Sequence, residues 1–360
     1  MKLISTNYPP LVTSHPDMPT EWERLFQASD EIRIAVGYAS NDSLLYVKRM
    51  LESNAPKKLD LCLGMAKFEG LDKKQFDADT NLNNYLNSSA SGQLYVADQF
   101  KFHGKVQTFS RQTNVIGSLL GSSNLGSLVP RKGIVRSNYE VDMLLETQKE
   151  SLELTKFMSD LFQSSVLPWD AAVSSIPVKP NANFQMDIRE DVIKLSTTQL
   201  NATKNNLSNI KFRIPLKTAP TAGQSNLNCY FGKGREKNGY VRVRPWYEVE
   251  LIVDLSVQRS CTGYPMLQSF YVDTDDGYTF VCQTQGGNSK NFRSRGDLTV
   301  LGSWIKGRLE AKGSLTSGEP VTIQVLSLYG RSDLTFIKTN QTRFDAETNK
   351  NLDVWYLDFS

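Results

Sequence analysis

The spacing of apolar residues changes near the middle of this 360-residue chain, and this change constrains the fold most. The first half alternates short apolar runs with stretches in which apolar residues recur every three to four positions. The run Glu31–Ala39 predicts a buried strand, and Asp42–Ser53 then predicts an amphipathic helix. Further strands are predicted at Leu59–Met65, Gln93–Ala97, Val106–Phe109, Val115–Leu120 and Tyr139–Leu145, and further helices at Leu71–Asn87 and Lys149–Gln163. This order predicts an α/β domain with a central mixed sheet covered by helices, over residues 1–166.

A proline-containing stretch with little periodicity follows, and residues 167–188 are predicted to be a linker. Residues 189–360 then contain many short β-type runs separated by turn residues. The predicted runs are Ile210–Ile214, Tyr240–Val243, Tyr247–Val253, Phe270–Val272, Tyr278–Gln283, Leu298–Leu301, Val321–Leu328 and Val354–Phe359. They predict a second domain that is an all-β barrel or open pseudobarrel.

The overall composition excludes several classes of protein. The four cysteines form no Cys-x-x-Cys pair and match no zinc module, so neither a metal site nor a disulfide framework is expected. No signal peptide and no apolar run of membrane-spanning length is present, which predicts a cytoplasmic protein without a membrane partner. The net charge of +3 is small, so a nucleic-acid surface requires local clustering of charge.

His103 is the first candidate catalytic residue, and the only other histidine, His15, lies in a proline-flanked segment expected to be an exposed loop. In a strand, residues 103 and 105 project to the same side, which would put the imidazole beside the ammonium group of Lys105. Such a pair suits phosphoryl chemistry, because the lysine offsets phosphate charge while the imidazole attacks phosphorus or donates a proton. A bare His-x-Lys is also a common surface pattern.

Two downstream segments strengthen this interpretation. An apolar strand ends in Gly121-Ser122-Ser123-Asn124, where Asn124 could reach a ligand and Ser122 and Ser123 could contact a phosphate. Glu140 then begins the next strand, where its carboxylate could accept the second imidazole N–H. Each segment alone is more often an ordinary turn or a solvated strand residue, so the ordered series on successive strands is the signal.

This series resembles the phospholipase D superfamily over roughly residues 95–146. The resemblance implies that His103 is nucleophile or acid, that Lys105 and Asn124 bind phosphate, and that Glu140 orients a histidine. The aspartate of the longer H-x-K-x4-D motif falls on Ser110, and nucleases of the superfamily also tend to lack this aspartate. The chemistry of the superfamily uses two histidines across one phosphate, and this chain has one His-x-Lys. We therefore expect a homodimer through the nuclease domain with one composite site, or else an inactive site, and no metal or cofactor.

Positive charge is clustered in two segments of the second half. Residues 229–246 and 284–312 each carry a net charge of +4, from five basic and one acidic residue and from six basic and two acidic residues. Arginine, asparagine and glutamine can read base edges, whereas lysine mostly meets phosphate. The candidate DNA-binding residues are Lys217, Asn228, Lys233, Arg235, Asn238, Arg242, Arg244, Trp246, Gln285, Asn288, Lys290, Asn291, Arg293 and Arg295.

A nuclease half followed by such a β-rich half resembles restriction endonucleases of the BfiI and NgoFVII type, whose second domain is a pseudobarrel of the plant B-three type. In that fold two arms enter the major groove, and they would correspond to the loops around Lys217–Arg244 and Asp273–Arg295. The resemblance implies cleavage of double-stranded DNA through a phosphohistidine. It also implies a cognate DNA methyltransferase and, in some relatives, a separate ATP-dependent helicase or translocase subunit. The alternatives are a nuclease without sequence preference, a catalytically inactive DNA-binding scaffold and a phospholipase-like enzyme.

Overall fold

The computed structural model describes residues 1–9, 11–54, 57–129, 138–180, 184–187, 189, 192–218, 227–237 and 239–360. The chain divides into two compact units. The first contains Met1–Pro130, Ser137–Ala182 and Gly234–Pro245, and the second contains Asn183–Lys233 and Trp246–Ser360.

Among the described residues before 182, the first unit contains ten strands and six helices. The strands are β1 (Lys2–Ser5), β2 (Glu31–Val36), β3 (Lys58–Leu63), β4 (Leu71–Asp72), β5 (Gly92–Ala97), β6 (Lys105–Arg111), β7 (Asn114–Gly121), β8 (Val141–Leu145), β9 (Val166–Pro168) and β10 (Val178–Lys179). The helices are α1 (Met18–Ala28), α2 (Asn41–Ser53), α3 (Ala66–Glu69), α4 (Lys73–Ser88), α5 (Gln148–Ser164) and α6 (Trp169–Ala172).

Eight of these strands form one mixed sheet in the order β1-β8-β7-β6-β2-β3-β5-β9. Strands β2, β3 and β5 are parallel, and the remaining neighbours are antiparallel. Strands β2 and β3 are buried along most of their length, as expected of parallel strands covered by helices. Helix α5 packs on one face of the sheet through Met158 and Leu161, against Ala35, Cys62 and Val106. The sequence therefore predicted this α/β architecture correctly.

Strand directions bring five chain segments to one edge of this sheet. Strands β2, β3 and β7 end there, whereas β6 and β8 begin there. This is shown by the pairing of Val36 with Lys105 and of Gly121 with Asp142. Ligands of such sheets bind beyond the carboxyl ends of the parallel strands. The candidate catalytic residues all lie in segments at this edge.

The later elements form the second unit, apart from one hairpin. The strands are β11 (Ile193–Lys194), β12 (Leu207–Pro215), β13 (Arg235–Lys237), β14 (Tyr240–Arg242), β15 (Leu251–Ile252), β16 (Ser269–Thr274), β17 (Tyr278–Gln285), β18 (Asn291–Ser294), β19 (Asp333–Asp345) and β20 (Lys350–Asp358). The helices are α7 (Thr197–Asn205), α8 (Leu255–Ser260), α9 (Val300–Ala311) and α10 (Ile323–Tyr329). A sheet ordered β12-β19-β20-β16-β17-β18-β15 curls into a half-barrel, and β11 pairs with β17. Its core contains an aromatic cluster of Phe212, Phe270, Phe292, Phe336 and Trp355.

Two of the predicted β runs of this unit are helical, and these two predictions are wrong. The run Leu298–Leu301 leads into α9, most of whose residues are buried on all sides. A helix that is apolar all round lacks the amphipathic period, so its first residues resemble a buried strand. The run Val321–Leu328 leads into α10, in which the Thr322 hydroxyl caps the backbone N–H of Val325 and Gly330 ends the helix in a left-handed conformation.

The predicted linker also differs from the structure. Strand β9 pairs with β5 and is an edge strand of the first sheet. Pro168 is tolerated there because one side of an edge strand faces solvent and needs no N–H donor. Trp169 is buried, and the carboxylate of Asp170 accepts hydrogen bonds from Asn83 and Asn87 at 2.8 and 2.9 Å. The segment through Lys179 is therefore part of the first unit.

The hairpin formed by β13 and β14 belongs to the first unit although it follows residue 233 in sequence. The Tyr240 hydroxyl donates to the sulfur of Met50, and its ring packs edge-on against Phe26. The amide side chain of Asn54 accepts from the Val241 N–H at 2.8 Å and donates to its carbonyl at 3.1 Å. These contacts fasten the hairpin to helices α1 and α2.

Candidate active site

The side chains of His103 and Lys105 lie side by side at the edge where β6 begins. The Lys105 Nζ is 3.1 Å from His103 Nδ1 and 3.2 Å from Nε2, and it donates to the His103 carbonyl at 2.6 Å. The imidazole is exposed, whereas Lys105 is only 8% exposed. An exposed imidazole next to a fixed cation can receive a phosphate group and offset its charge at the same point.

Glycines at the ends of β2 and β3 allow this arrangement. A Cβ on Gly64 would lie 1.9 Å from the Phe102 carbonyl oxygen, and a Cβ on Gly37 would lie 3.1 Å from His103 Cδ2. The Phe102 N–H also donates to the Gly64 carbonyl at 3.2 Å. The segment before β6 can therefore pass directly against the two strand ends, which places His103 at the edge of the sheet.

Two opposing effects act on the pKa of the Lys105 ammonium group. Burial lowers the pKa of the Lys105 ammonium group, and the negative charge of Glu140 partly offsets this by raising it. Glu140 therefore lies within electrostatic range of Lys105, which links the start of β8 to the start of β6.

Asn124 lies just after β7, at the start of a 3₁₀ turn over Leu125–Leu128. Its Oδ1 accepts the backbone N–H of Tyr38 at 3.2 Å. A backbone N–H can only donate, so this bond fixes which end of the amide is oxygen. The Nδ2 group has no hydrogen-bond partner within the described residues, so it remains able to donate to a bound anion.

The serines that precede Asn124 are tied to strand β8. The Ser122 hydroxyl accepts the Val141 N–H at 3.0 Å and donates to the Glu140 carboxylate. The buried carboxylate of Asp142 accepts both the N–H and the hydroxyl of Ser123. Burial raises the pKa of Asp142, and the bonds from Ser123 oppose this. Ser122 and Ser123 therefore hold the turn that positions Asn124.

Glu140 was expected to accept a bond from His103. In the described part of the chain its carboxylate instead accepts from Ser122, and no hydrogen bond joins it to the imidazole of His103. The structure thus brings His103, Lys105, Asn124 and Glu140 to one edge without forming that particular bond.

Ser110 and His15, the other two residues considered from the sequence, lie in β6 and in the loop between β1 and α1. Ser110 lies near the far end of β6, five positions beyond Lys105 or about 17 Å along an extended strand. An aspartate there would not reach the imidazole. His15 is exposed in the loop between β1 and α1, as expected from the sequence.

Two residues at this sheet edge were not predicted from the sequence. Tyr38 was assigned to the predicted strand Glu31–Ala39, but the strand ends at Val36 and the Tyr38 ring lies edge-on to His103 at 5.5 Å. Asp142 follows Glu140 by two positions, and the pattern Glu-Val-Asp gave no sign that only the second carboxylate is buried. A glycine directly after an apolar run, as Gly37 is, indicates that the strand ends there. This signal could have placed Tyr38 beyond the strand.

Several candidate DNA-binding residues share one hairpin of the second unit. Gln285 and Asn291 are paired across β17 and β18, and the Arg293 guanidinium donates to the Gln285 amide. A tight turn over Gly287–Ser289 joins the strands, with Asn288 in a left-handed conformation. Asn288 and Lys290 are exposed at this tip. The structure thus groups five of the predicted residues on one hairpin.

Other candidates have structural partners. Trp246 is fully buried, and its indole N–H donates to Glu310 at 3.0 Å. Asn228 is buried and bonds the backbone of Val321 in both directions at 2.9 Å. These two side chains belong to the interior of the second unit, and only their positions in a basic segment had suggested DNA binding.

The remaining basic candidates lie at the surface or in ion pairs. Arg295 forms a two-bond pair with Asp345 at 2.7 and 2.9 Å, and Lys217 pairs with Asp254 at 2.8 Å. Exposed or half-exposed positions are occupied by Lys233, Arg235 and Arg244. Asn238 lies outside the described residues.

Arg242, like Arg235 and Arg244, lies in the Gly234–Pro245 stretch that belongs to the first unit. It is exposed, and its Nε is 2.8 Å from the carboxylate of Glu23. Its guanidinium is therefore already paired within that unit.

Two family models match this chain. The NgoFVII restriction endonuclease N-terminal PLD domain matches residues 17–173, and the NgoFVII C-terminal B3-like DNA-binding domain matches residues 202–340. The chain belongs to the NgoFVII family of restriction endonucleases. The first half of this NgoFVII-type chain therefore carries a phospholipase-D-like nuclease domain, and the second half of the chain carries a DNA-binding domain. Both were predicted from the sequence.

Comparison with solved structures gives more distant similarities. Phosphatidylserine synthase of Haemophilus influenzae Rd KW20 is 14% identical, with a TM-score of 0.32, over 46% of this chain and 39% of that chain. Polyphosphate kinase of Porphyromonas gingivalis is 13% identical, with a TM-score of 0.28, over 56% of this chain and 27% of that chain. The NgoFVII-type chain thus covers well under half the length of either protein. No curated protein sequence matches it.

The described residues of this NgoFVII-type chain contain neither a metal-ligand cluster nor a membrane-spanning helix. No group of three or more His, Cys, Asp or Glu side chains is placed to hold a metal ion there. In that same part of the chain, no helix is both long and apolar enough to span a membrane.

Proposed function

We propose that this restriction nuclease cuts double-stranded DNA at chosen sequences, without a metal ion, through a covalent intermediate on His103. The observation that carries the proposal is the exposed imidazole of His103 beside the ammonium group of the buried Lys105. The Asn124 Nδ2 group, which has no partner within the described residues, lies in the neighbouring segment at the same sheet edge. Together these groups offer a nucleophile, a fixed positive charge and a directed hydrogen-bond donor.

The proposed reaction has two displacements at phosphorus. A ring nitrogen of His103 attacks the phosphorus atom, the P–N bond forms, and the P–O bond to the leaving strand breaks. A second histidine gives its proton to the leaving oxygen and then takes a proton from water, which attacks phosphorus and breaks the P–N bond. Lys105 and Asn124 stabilise the charge on the non-bridging oxygens, and Ser122 and Ser123 support the segment that carries Asn124.

We further propose that the second histidine comes from a second copy of the chain. The chain contains two histidines, and His15 lies in an exposed loop outside the His-x-Lys pattern. A two-fold axis through the catalytic edge would place two copies of His103 across one phosphate. Within the described residues the Glu140 carboxylate accepts from Ser122 and not from His103 of the same chain, and a carboxylate oxygen can accept a further bond from the histidine of the second copy.

For the DNA-binding domain, we propose that the β17–β18 hairpin contacts DNA. Asn288 and Lys290 are exposed at its tip, and Gln285, Asn291 and Arg293 present the side-chain types that read base edges. Lys233, Arg235 and Arg244 are further candidates at the surface. A cognate methyltransferase and a separate ATP-dependent subunit are partners that the family resemblance implies.

Incubation of plasmid DNA with the full-length protein in excess EDTA tests the proposal. We expect discrete fragments whose pattern is unchanged by magnesium, because lysine and asparagine side chains supply the charge stabilisation. Loss of cleavage on chelation, restored by magnesium, would contradict metal independence. A continuous smear would indicate a nuclease without sequence preference, and intact DNA that is shifted in a gel would indicate a binding scaffold.

Substitution of Asn124 by aspartate tests the role of its amide. The variant keeps an oxygen that accepts the Tyr38 N–H but presents a carboxylate oxygen where Nδ2 had donated. We expect DNA cleavage to slow by about 100-fold or more, because a donor to the phosphate is replaced by a negative charge. The same substitution at exposed Asn114, at the opposite end of β7, is the matched control. Equal rates for both variants would remove Asn124 from the site.

A further inference from the structure

A pocket opens beside His103, beyond the carboxyl ends of β2 and β3. It encloses about 30 Å³, which is room for about one water molecule, and it opens into solvent. Residues that line it include Tyr38, Leu63, Met65, Glu69, Leu71 and Gln75. The wall is therefore mainly apolar, with one aromatic ring and two polar side chains. The cavity itself is too small for an organic ring, so a bound ring would lie across its open mouth. The position is typical of ligand sites in sheets with parallel strands.

Tyr38 lines this pocket and also contacts the imidazole of His103, and its hydroxyl and its backbone are both held by hydrogen bonds. Its hydroxyl donates to the Glu69 carboxylate at 2.9 Å, and its backbone N–H donates to Asn124 at 3.2 Å. The ring lies 5.5 Å from the His103 ring at an angle of 78°, and 39% of the residue remains exposed. An aromatic ring that is fixed in place and half-exposed offers a surface on which a planar group can stack.

We infer that the Tyr38 ring binds the nucleoside next to the scissile phosphate, and that the base or sugar packs on this ring across the mouth of the pocket. The inference rests on the proposed function, because it takes the phosphate to be bound at His103, Lys105 and Asn124. Tyr38 contacts both the imidazole and Asn124, so a phosphate held there has its neighbouring nucleoside within reach of the pocket. Stacking on an aromatic ring tolerates any base, which suits a cleavage position where the recognition domain makes the choice of sequence.

Binding of three small ligands to the full-length protein tests this inference. The ligands are inorganic phosphate, thymidine 3′-monophosphate and thymidine 5′-monophosphate, each measured by calorimetric titration. We expect one of the two nucleotides to bind about tenfold more tightly than phosphate, because stacking adds to the phosphate contacts. The Tyr38→Ala variant is expected to lose this advantage and to keep its affinity for phosphate. The Tyr38→Phe variant should keep most of the advantage, since the ring remains.

Phe68→Ala is the matched control, because Phe68 is a similarly exposed aromatic residue on α3 that does not line the pocket. Two results would overturn the inference: equal affinity of the wild-type protein for all three ligands, or equal weakening of phosphate and nucleotide binding in Tyr38→Ala. The second result would show a structural role for the ring. Plasmid cleavage is measured on the same samples. Tyr38-dependent nucleotide binding by a protein that cuts no DNA would overturn the proposed function and leave the nucleoside pocket in place.

Discussion

Alanine at position 103 is expected to reduce DNA cleavage by about four orders of magnitude or more, while DNA binding is retained. The substitution removes the only group proposed to attack phosphorus, and the loss of a covalent nucleophile typically has effects of this size. The imidazole is exposed, so its removal leaves no cavity in the core. Cleavage rates and gel shifts on one DNA fragment measure the two properties separately.

His15→Ala is the matched control, because His15 is the other histidine of the chain and is also exposed. It is expected to cut DNA at the wild-type rate. Radiolabelled phosphorus trapped on the wild-type protein as an acid-labile, base-stable adduct should be absent from His103→Ala. Undiminished cleavage by His103→Ala would refute the proposed nucleophile. Loss of cleavage in His15→Ala would place the second histidine within the same chain.

A mixture of wild-type and His103→Ala chains is expected to have about one quarter of the activity of wild-type protein at the same total concentration. Random pairing in a one-to-one mixture gives about one quarter wild-type dimers and about one half mixed dimers. Mixed dimers would be inactive if one site takes a histidine from each copy. Chains that act independently would instead give about one half of the activity.

Co-expression of the two chains with different affinity tags allows the mixed dimer to be purified and measured directly. Light scattering should give a dimeric mass for the wild-type, mutant and mixed samples. The same experiment with His15→Ala in place of His103→Ala controls for the tags and for mixing, and it should retain full activity. A mixed His103→Ala dimer with the wild-type activity per dimer would rule out the shared site.

Much of the first unit could be predicted because its elements have clear periods. Strands β2 and β3 are continuous apolar runs and α2 has an apolar stripe, so their types and order follow from the sequence. The position of His103 at a strand edge follows from the same order. Its proximity to Lys105 was expected from the two-residue period of a strand, and the two side chains are adjacent although β6 begins only at Lys105.

Other features depend on tertiary contacts that no local pattern encodes. The carboxylates of Glu140 and Asp142 are two residues apart, yet one is half-exposed and the other is buried against Ser123. Arg295 lies in a basic segment, but Asp345, which is 50 positions away, binds its guanidinium. Helix α9 could not be recognised because burial on all sides removes the amphipathic period.

The β13–β14 hairpin has a consequence for attempts to exchange the two halves of such enzymes. Its residues fall within the stretch matched by the DNA-binding family model, yet Tyr240, Val241 and Arg242 contact helices α1 and α2 or the residue that follows them. A chimera joined at a single point near residue 188 would graft a foreign hairpin onto this nuclease, or leave Phe26 and Met50 uncovered. Specificity engineering by simple fusion would therefore have to carry Gly234–Pro245 with the nuclease, as a second crossover in the gene.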